Sequence, residues 1–209
     1  MGITPDYKNE KRIKIEKGIF IGASMTSLKF DDHKLLPYLN SKYKSSTDIS
    51  FGVYLELFLN KNKGWSLYNE IQYYSYKSSN HYEDIENENI FTTINTKISH
   101  SFIKLNNLAR FGFSMANQPL YFNLGMTNGW VITEENYRRI ESNVFSVQTV
   151  SNGLAIPDVK NHEFGIIMGL GTKFNKLSFE VRYEITDGVS EDSANSKLNK
   201  LYFLVGYRL

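Results

Sequence analysis

Between Leu177 and Thr186 the chain changes character at every residue. Leu177, Phe179, Val181, Tyr183 and Ile185 alternate with Ser178, Glu180, Arg182, Glu184 and Thr186. A period of two sustained over that length is a β-strand with one apolar face, because a helix would scatter the same five apolar residues around its axis. The final segment repeats it, with Leu201, Phe203, Val205, Tyr207 and Leu209 opposite Lys200, Tyr202, Leu204, Gly206 and Arg208. Before these, Phe164, Ile166, Met168 and Leu170 alternate with Gly165, Ile167, Gly169 and Gly171. Similar segments at residues 120–131, 99–114, 65–76, 49–60 and 18–30 bring the expected strands to eight. Each is long enough, at about ten residues, to cross a bilayer when tilted.

The connections alternate in length. Short turns are expected at residues 61–64, 115–119 and 175–176, and long polar loops at 31–48, 77–88, 133–160 and 187–199. Strict alternation puts every tight turn at one end and every long loop at the other. That is an up-and-down meander, the pattern of outer-membrane barrels with short periplasmic turns and long external loops. Residues 90–98 also alternate (Ile90, Thr92, Ile94, Thr96, Ile98). They read as the fourth strand projecting beyond the membrane, with a ninth and tenth strand as the alternative. The expected fold is an all-β, eight-stranded antiparallel up-and-down transmembrane β-barrel. Residues 1–16 form a periplasmic lead-in and 17–209 a single barrel domain.

Alternation alone does not say which face is inside. Gly22, Gly52, Gly112, Gly125, Gly165, Gly169, Gly171 and Gly206 all share the polar faces. Mid-strand glycine on a solvated outer face costs roughly 0.5–1 kcal/mol relative to Ala and gains nothing there. On the concave wall of a narrow barrel it makes room for large neighbours. Those neighbours include Tyr54 and Tyr68 with Glu56, Glu70, Lys104, Arg110, Glu180, Arg182, Glu184 and Arg208. The eight charged residues form the expected interior ion-pair network, since buried charges must pair. The opposite faces carry Ile19, Phe51, Val53, Leu67, Ile71, Phe122, Phe164, Val181 and Val205, a band suited to lipid and hazardous in water. Trp65, Tyr73, Trp130, Tyr183 and Tyr207 lie toward strand ends, where interfacial aromatic girdles form.

Composition closes other routes. With 24 Lys+Arg against 22 Asp+Glu the formal charge is only +2, which argues against nucleic acid as a partner. A hydrophobic fraction of 41% is too high for a disordered chain. No apolar run approaches the ~20 residues that a membrane helix needs. The absence of cysteine removes disulfides, thiolate catalysis and Cys-ligated zinc together. Met1-Gly2 leads into a polar stretch with no apolar signal core. Either the chain is intracellular or, as an exported barrel requires, a leader has been replaced by a start methionine.

The C-terminal half resembles the PorT-like outer-membrane β-barrel family of Bacteroidota. The resemblance rests on His162-Glu163-Phe164-Gly165-Ile166-Ile167-Met168-Gly169-Leu170-Gly171, Leu177-Ser178-Phe179-Glu180-Val181-Arg182-Tyr183 and the closing Val205-Gly206-Tyr207-Arg208. Pro119-Leu120-Tyr121-Phe122-Asn123-Leu124-Gly125 is similar to the family's fifth strand. The likeness covers the chain from about residue 101 onward and departs from the pattern at Leu209, where closing strands usually end in Phe. It implies an eight-stranded barrel exported with a cleaved leader to the bacterial outer membrane. It implies a link to secretion without transferring a specific role.

Catalytic and metal chemistry have few candidates. His33, His81, His100 and His162 show no metal-ligand spacing to one another, and no cofactor is expected. His100 beside Ser99 and Ser101, or His162 beside Glu163, are the sets a lipid-hydrolysing barrel would use. The Gly165–Gly171 run lacks the following helix that a phosphate loop requires. Asp84, Glu86 and Glu88 form an acidic loop cluster, and Lys8, Lys11, Arg12, Lys14 and Lys17 are interrupted by acids; both read as solvated. The expectation is a monomeric, non-enzymatic outer-membrane barrel. Its lumen is filled by side chains, as in other eight-stranded barrels. Its partners are outer-membrane lipid and a protein met through the long loops, in a structural, adhesion or binding role. The alternatives are a soluble lipocalin-like carrier, with the apolar face inside, and a lipid-modifying outer-membrane enzyme.

Overall fold

Each alternating segment pairs antiparallel with its neighbours, and the last pairs with the first. The computed structural model describes residues 14–30, 37–59, 64–190 and 196–209. Nine strands lie among them: β1 (Lys14–Phe30), β2 (Ser46–Phe58), β3 (Trp65–Asn87), β4 (Ile90–Met115), β5 (Gln118–Val144), β6 (Val147–Gly153), β7 (His162–Phe174), β8 (Leu177–Thr186) and β9 (Ser196–Arg208). β1 pairs with both β2 and β9, and β5 with both β4 and β7, so eight strands close into a ring. β6 pairs with β5 alone and stands outside the ring. Residues 1–13 of the expected lead-in, residues 61–63 of the expected turn at 61–64, residue 60, and residues 31–36 and 191–195 of the expected loops lie outside the described residues.

The ring is all-β with an apolar exterior. Along β8, Phe179, Val181, Tyr183 and Ile185 are exposed while Glu180, Arg182, Glu184 and Thr186 are buried. The same phase holds on β1, where Ile19 and Ile21 are exposed and Phe20 and Ser24 buried. Trp65 and Tyr207 face outward near the turn end, and Tyr73, Trp130 and Tyr183 near the loop end. An apolar face turned outward leaves no place for a lipocalin-like interior.

Two expected loops are strands instead. Residues 77–87 continue β3, paired with residues 90–99 of β4. Of the expected loop at 133–160, residues up to Val144 continue β5, and Val147–Gly153 form β6. The Ser/Asn-rich stretch from Ser142 is therefore a hairpin, turned on Phe145 (φ 47°) and Ser146 (φ 69°). Positive φ at both turn residues matches the twist of the flanking strands. Residues 90–98 extend the fourth strand. The extra strand is β6, which pairs with the part of β5 that lies against residues 90–96. In residues 77–87 and 133–144 the outward face is no longer apolar, so the apolar–polar contrast that marks the lower strands fades there. The phase also shifts: Ser101 pairs with Thr133 and Phe102 with Val131, leaving Ile132 as an extra residue. This bulge moves the lumen-facing set of β5 from odd to even positions.

Candidate functional site

The lumen is filled from the turn end upward. At its mouth Arg208 Nη1 meets Glu16 Oε1 at 3.1 Å, with Arg208 37% and Glu16 8% exposed. Above it, Lys173 Nζ lies 2.6 Å from Glu56 Oε2, which also meets Arg110 Nη1 at 3.2 Å. Arg110 is clamped between the rings of Tyr68 and Tyr121, at 3.8 and 4.0 Å from their centroids. Its Nη2 reaches Glu180 Oε2 at 3.2 Å. Glu180 accepts further hydrogen bonds from Tyr121 Oη (3.1 Å), Asn123 Nδ2 (2.5 Å) and Arg182. Arg182 also donates to Glu70, whose only other side-chain donor among the described residues is Asn106 Nδ2 at 2.6 Å.

A second cluster sits one layer higher. Lys104 and Lys200 face Glu163 and Glu184, with Lys104–Glu163 at 2.9 Å, Lys200–Glu163 at 2.6 Å and Lys200–Glu184 at 2.9 Å. Lys104 and Glu184 are in direct contact as well. Tyr202 Oη donates to Glu184 at 3.2 Å, and Lys200 Nζ lies 4.5 Å from the centre of the Tyr74 ring. Over this layer Tyr74, Tyr76 and Phe102 stack, His100 stacks on Tyr76, and Tyr202 meets Tyr74 edge-on. The mouth at the loop end is packed by Leu28, Ile98 and Leu198 with Tyr38 and Leu39 of the 3₁₀ turn Pro37–Asn40, and with Ala155 and Ile156.

Glycines make the filling possible. A Cβ on Gly169 would lie 2.7 Å from Glu180 Oε1, and one on Gly171 would lie 2.4 Å from Tyr121 Cζ. Both glycines give their space to the side chains that hold Arg110.

The eight residues singled out from sequence therefore fall into three places. Glu56, Glu70, Arg110, Glu180 and Arg182 share the lower cluster, Lys104 and Glu184 the upper one, and Arg208 stands at the mouth. Sequence reasoning missed Glu163, Lys200, Glu16 and Lys173. The phase of alternation carries the signal for the first two: Lys200 shares the face of Tyr202, and Glu163 that of Gly165. The candidate catalytic sets are split by that same alternation. His100 is buried in the lumen, whereas Ser99 and Ser101 lie on the opposite face of β4. His162 packs against Trp130 on the outside, whereas Glu163 is held by the two lysines. Among the described residues no group of three acidic or histidine side chains is placed to hold a metal.

The second feature is the sheet above the ring. β3, β4, β5 and β6 continue together past the packed mouth, with residues 90–97 of β4 adding roughly 25 Å of strand. Row by row, Ile94 faces Tyr82 and Ile140, and Phe91 faces Ile85 and Asn143. The tip is stitched by a hydrogen bond from Phe145 N to Asn89 O at 3.0 Å. It carries exposed apolar side chains: Ile85 (65%), Phe145 (69%) and Val147 (66%). The flank is polar, with Arg139 paired to Glu141 (2.7 Å) and Tyr137 Oη donating to Asn152 (2.8 Å). There His81 bonds Asn95 Oδ1 at 2.7 Å and Glu83 Oε1 at 3.0 Å, which together raise its pKa above the ordinary imidazole value. At the base of the sheet, burial pushes the Tyr43 hydroxyl up to about 12.

No protein-family model matches the chain, and no curated protein matches it. Among solved structures, it is similar to Ail, the attachment invasion locus protein of Yersinia pestis, at 16% identity and a TM-score of 0.44, covering 94% of this chain and 99% of that one. It is similar to Neisserial surface protein A at 12% identity and 0.41, covering 91% and 97%. It is also similar to the outer membrane protein OprG of Pseudomonas aeruginosa at 12% identity and 0.38, covering 93% and 94%. None of these matches carries the PorT-like resemblance.

Proposed function

We propose that the protein is a non-conducting bacterial outer-membrane barrel whose projecting sheet is a contact surface for another macromolecule outside the cell. A closed ring with an apolar exterior is one of the two structures that satisfy every backbone group within lipid. The lumen is blocked by the two charge clusters and by the aromatic layer above them. The observation that carries the reading is the four-stranded extension with an apolar tip. A solvated tip gains nothing from Ile85, Phe145 and Val147, and exposed apolar clusters mark interaction surfaces. The separation of His100 from Ser99 and Ser101, and of His162 from Glu163, weighs against the lipid-hydrolase alternative.

The absence of cysteine makes the test clean. Phe145→Cys, at the sheet tip, is expected to react with a membrane-impermeant maleimide in intact cells. Ala116→Cys, in the tight turn between β4 and β5, is expected to react only after the outer membrane is permeabilised. The reverse pattern would overturn the orientation, and equal labelling would overturn the membrane placement. Triple replacement of Ile85, Phe145 and Val147 by Ser is then expected to leave the barrel folded while lowering attachment of displaying cells to protein-coated surfaces.

A further inference from the structure

We infer that β6 is an acceptor for an extended strand of a partner protein, which joins the projecting sheet by backbone pairing at its free edge. The inference rests on the projecting-sheet reading and says how that sheet binds. β5 and β6 are joined by a two-residue turn, so Val144 and Val147 form a hydrogen-bonded pair and bonded pairs recur at every second residue. Thr149, Ser151 and Gly153 accordingly turn their backbone groups toward β5. Gln148, Val150 and Asn152 turn their N–H and C=O the other way. Among the described residues these groups meet no backbone partner.

An exposed edge of this kind templates strand addition unless charge, proline, a bulge or a covering loop blocks it. The two edges of the projecting sheet differ in this respect. On β3 the lower part is covered: Lys44 N bonds Ser79 O at 2.9 Å and Ser78 Oγ bonds Lys44 O at 2.8 Å. Its upper part carries Glu83, Asp84 and Glu86. β6 reads Val-Gln-Thr-Val-Ser-Asn-Gly, with no charge, no proline and no register shift against β5. One edge is guarded and the other is open.

The geometry also selects the occupant. Two copies in one membrane are related by an axis along the membrane normal, which preserves the vertical direction of every strand. Tilted β6 edges related in that way cross and do not run antiparallel, so a second copy in the same membrane does not fit. The occupant is an extended segment of another protein. Its side chains would lie beside Val147, Thr149 and Ser151 on one face and beside Gln148, Val150 and Asn152 on the other. Both rows suit small, β-branched or amide side chains and offer no charge to an ionic partner. Main-chain bonds would supply affinity, with these rows setting the register.

The test uses the refolded full chain in detergent and a phage-displayed library of random linear heptapeptides as probe. Peptides selected on the wild type are expected to lose at least tenfold in affinity on Val150→Pro. That variant removes an outward N–H and spares the β5–β6 ladder, because Val150 does not bond to β5. Val150→Lys is expected to weaken binding in the same way while keeping the N–H, and heat-modifiable gel mobility verifies that both barrels fold. N-methylation of alternate peptide amides is expected to abolish binding in one register only. The amides of Gln148, Val150 and Asn152 should exchange rapidly in the free protein and slow at least tenfold when peptide is bound. Recovery of no binding peptide, or binding unchanged on Val150→Pro, would overturn the edge assignment. Binding lost on the tip triple-Ser variant but kept on Val150→Pro would retain the sheet as a platform and refute only its edge. Binding insensitive to all three variants would refute the platform as well.

Discussion

Arg182→Met isolates the lower charge cluster better than any other single change. The methionine keeps most of the aliphatic volume, so the loss is mainly of charge and hydrogen bonds. Arg182 is 2% exposed and serves two acids, Glu70 and Glu180, that differ in what they keep. Without Arg182, Glu180 still has Arg110, Tyr121 and Asn123 within 3.2 Å. Among the described residues Glu70 keeps only Asn106, and its Oε2 already lacks a partner. Removing one member of a buried pair costs about 3–5 kcal/mol, because the other charge stays buried and uncompensated. Here that cost should fall mainly on Glu70. Adding Glu70→Gln should therefore recover at least about 1 kcal/mol relative to additivity, within the range found for residues in one network. Adding Glu180→Gln should recover less, because Glu180 keeps its other partners and its neutralisation leaves Arg110 with Glu56 as its acid. Urea midpoints of the single and double variants refolded into lipid vesicles, read through Trp65 and Trp130, supply the comparison. A nearly silent Arg182→Met, or equal recovery by the two glutamine variants, would refute this account of the lumen.

Three further outcomes follow from the same geometry. Val181 is the outward neighbour of Arg182, so Val181→Arg places a charge against hydrocarbon and should cost about 2–4 kcal/mol in the same urea assay. No second-site neutralisation should relieve it. Reconstituted wild-type protein should show no steady single-channel openings in planar bilayers, and stable openings would mean that the lumen is not plugged. His81 should titrate above the usual imidazole value of about 6.5 when followed by ring-proton NMR. Both ring nitrogens must carry a proton to donate to Asn95 and Glu83, so Glu83→Gln should lower the midpoint. Because the folded pKa is the higher one, the small stabilisation is present at acidic pH and fades as pH rises through the folded pKa.

How much of this was written in the chain follows from what imposes each pattern. Lipid outside and a crowded lumen inside force alternation wherever both act, so the faces of Val181 and Arg182, of Phe164 and Gly165, and of Val205 and Gly206 were legible from sequence. The closing of eight strands followed from their lengths and connections. Above the apolar belt the outward face turns polar and toward the tip both faces are exposed, so residues 77–87 and 133–153 look like polar loop although they are paired strands. The extra residue at Ile132 reverses the phase at that same boundary and hides the continuation of β5. Pairing across the lumen is also invisible along the chain. Arg182 and Glu70 are 112 residues apart and meet only because tilt and register bring β8 and β3 to the same depth on opposite walls. Glu163 and Lys200 join Lys104 for the same reason. Sequence determined which residues point inward, since that depends on local alternation; the closed barrel decided which inward residues touch, since that depends on the register of every strand between them.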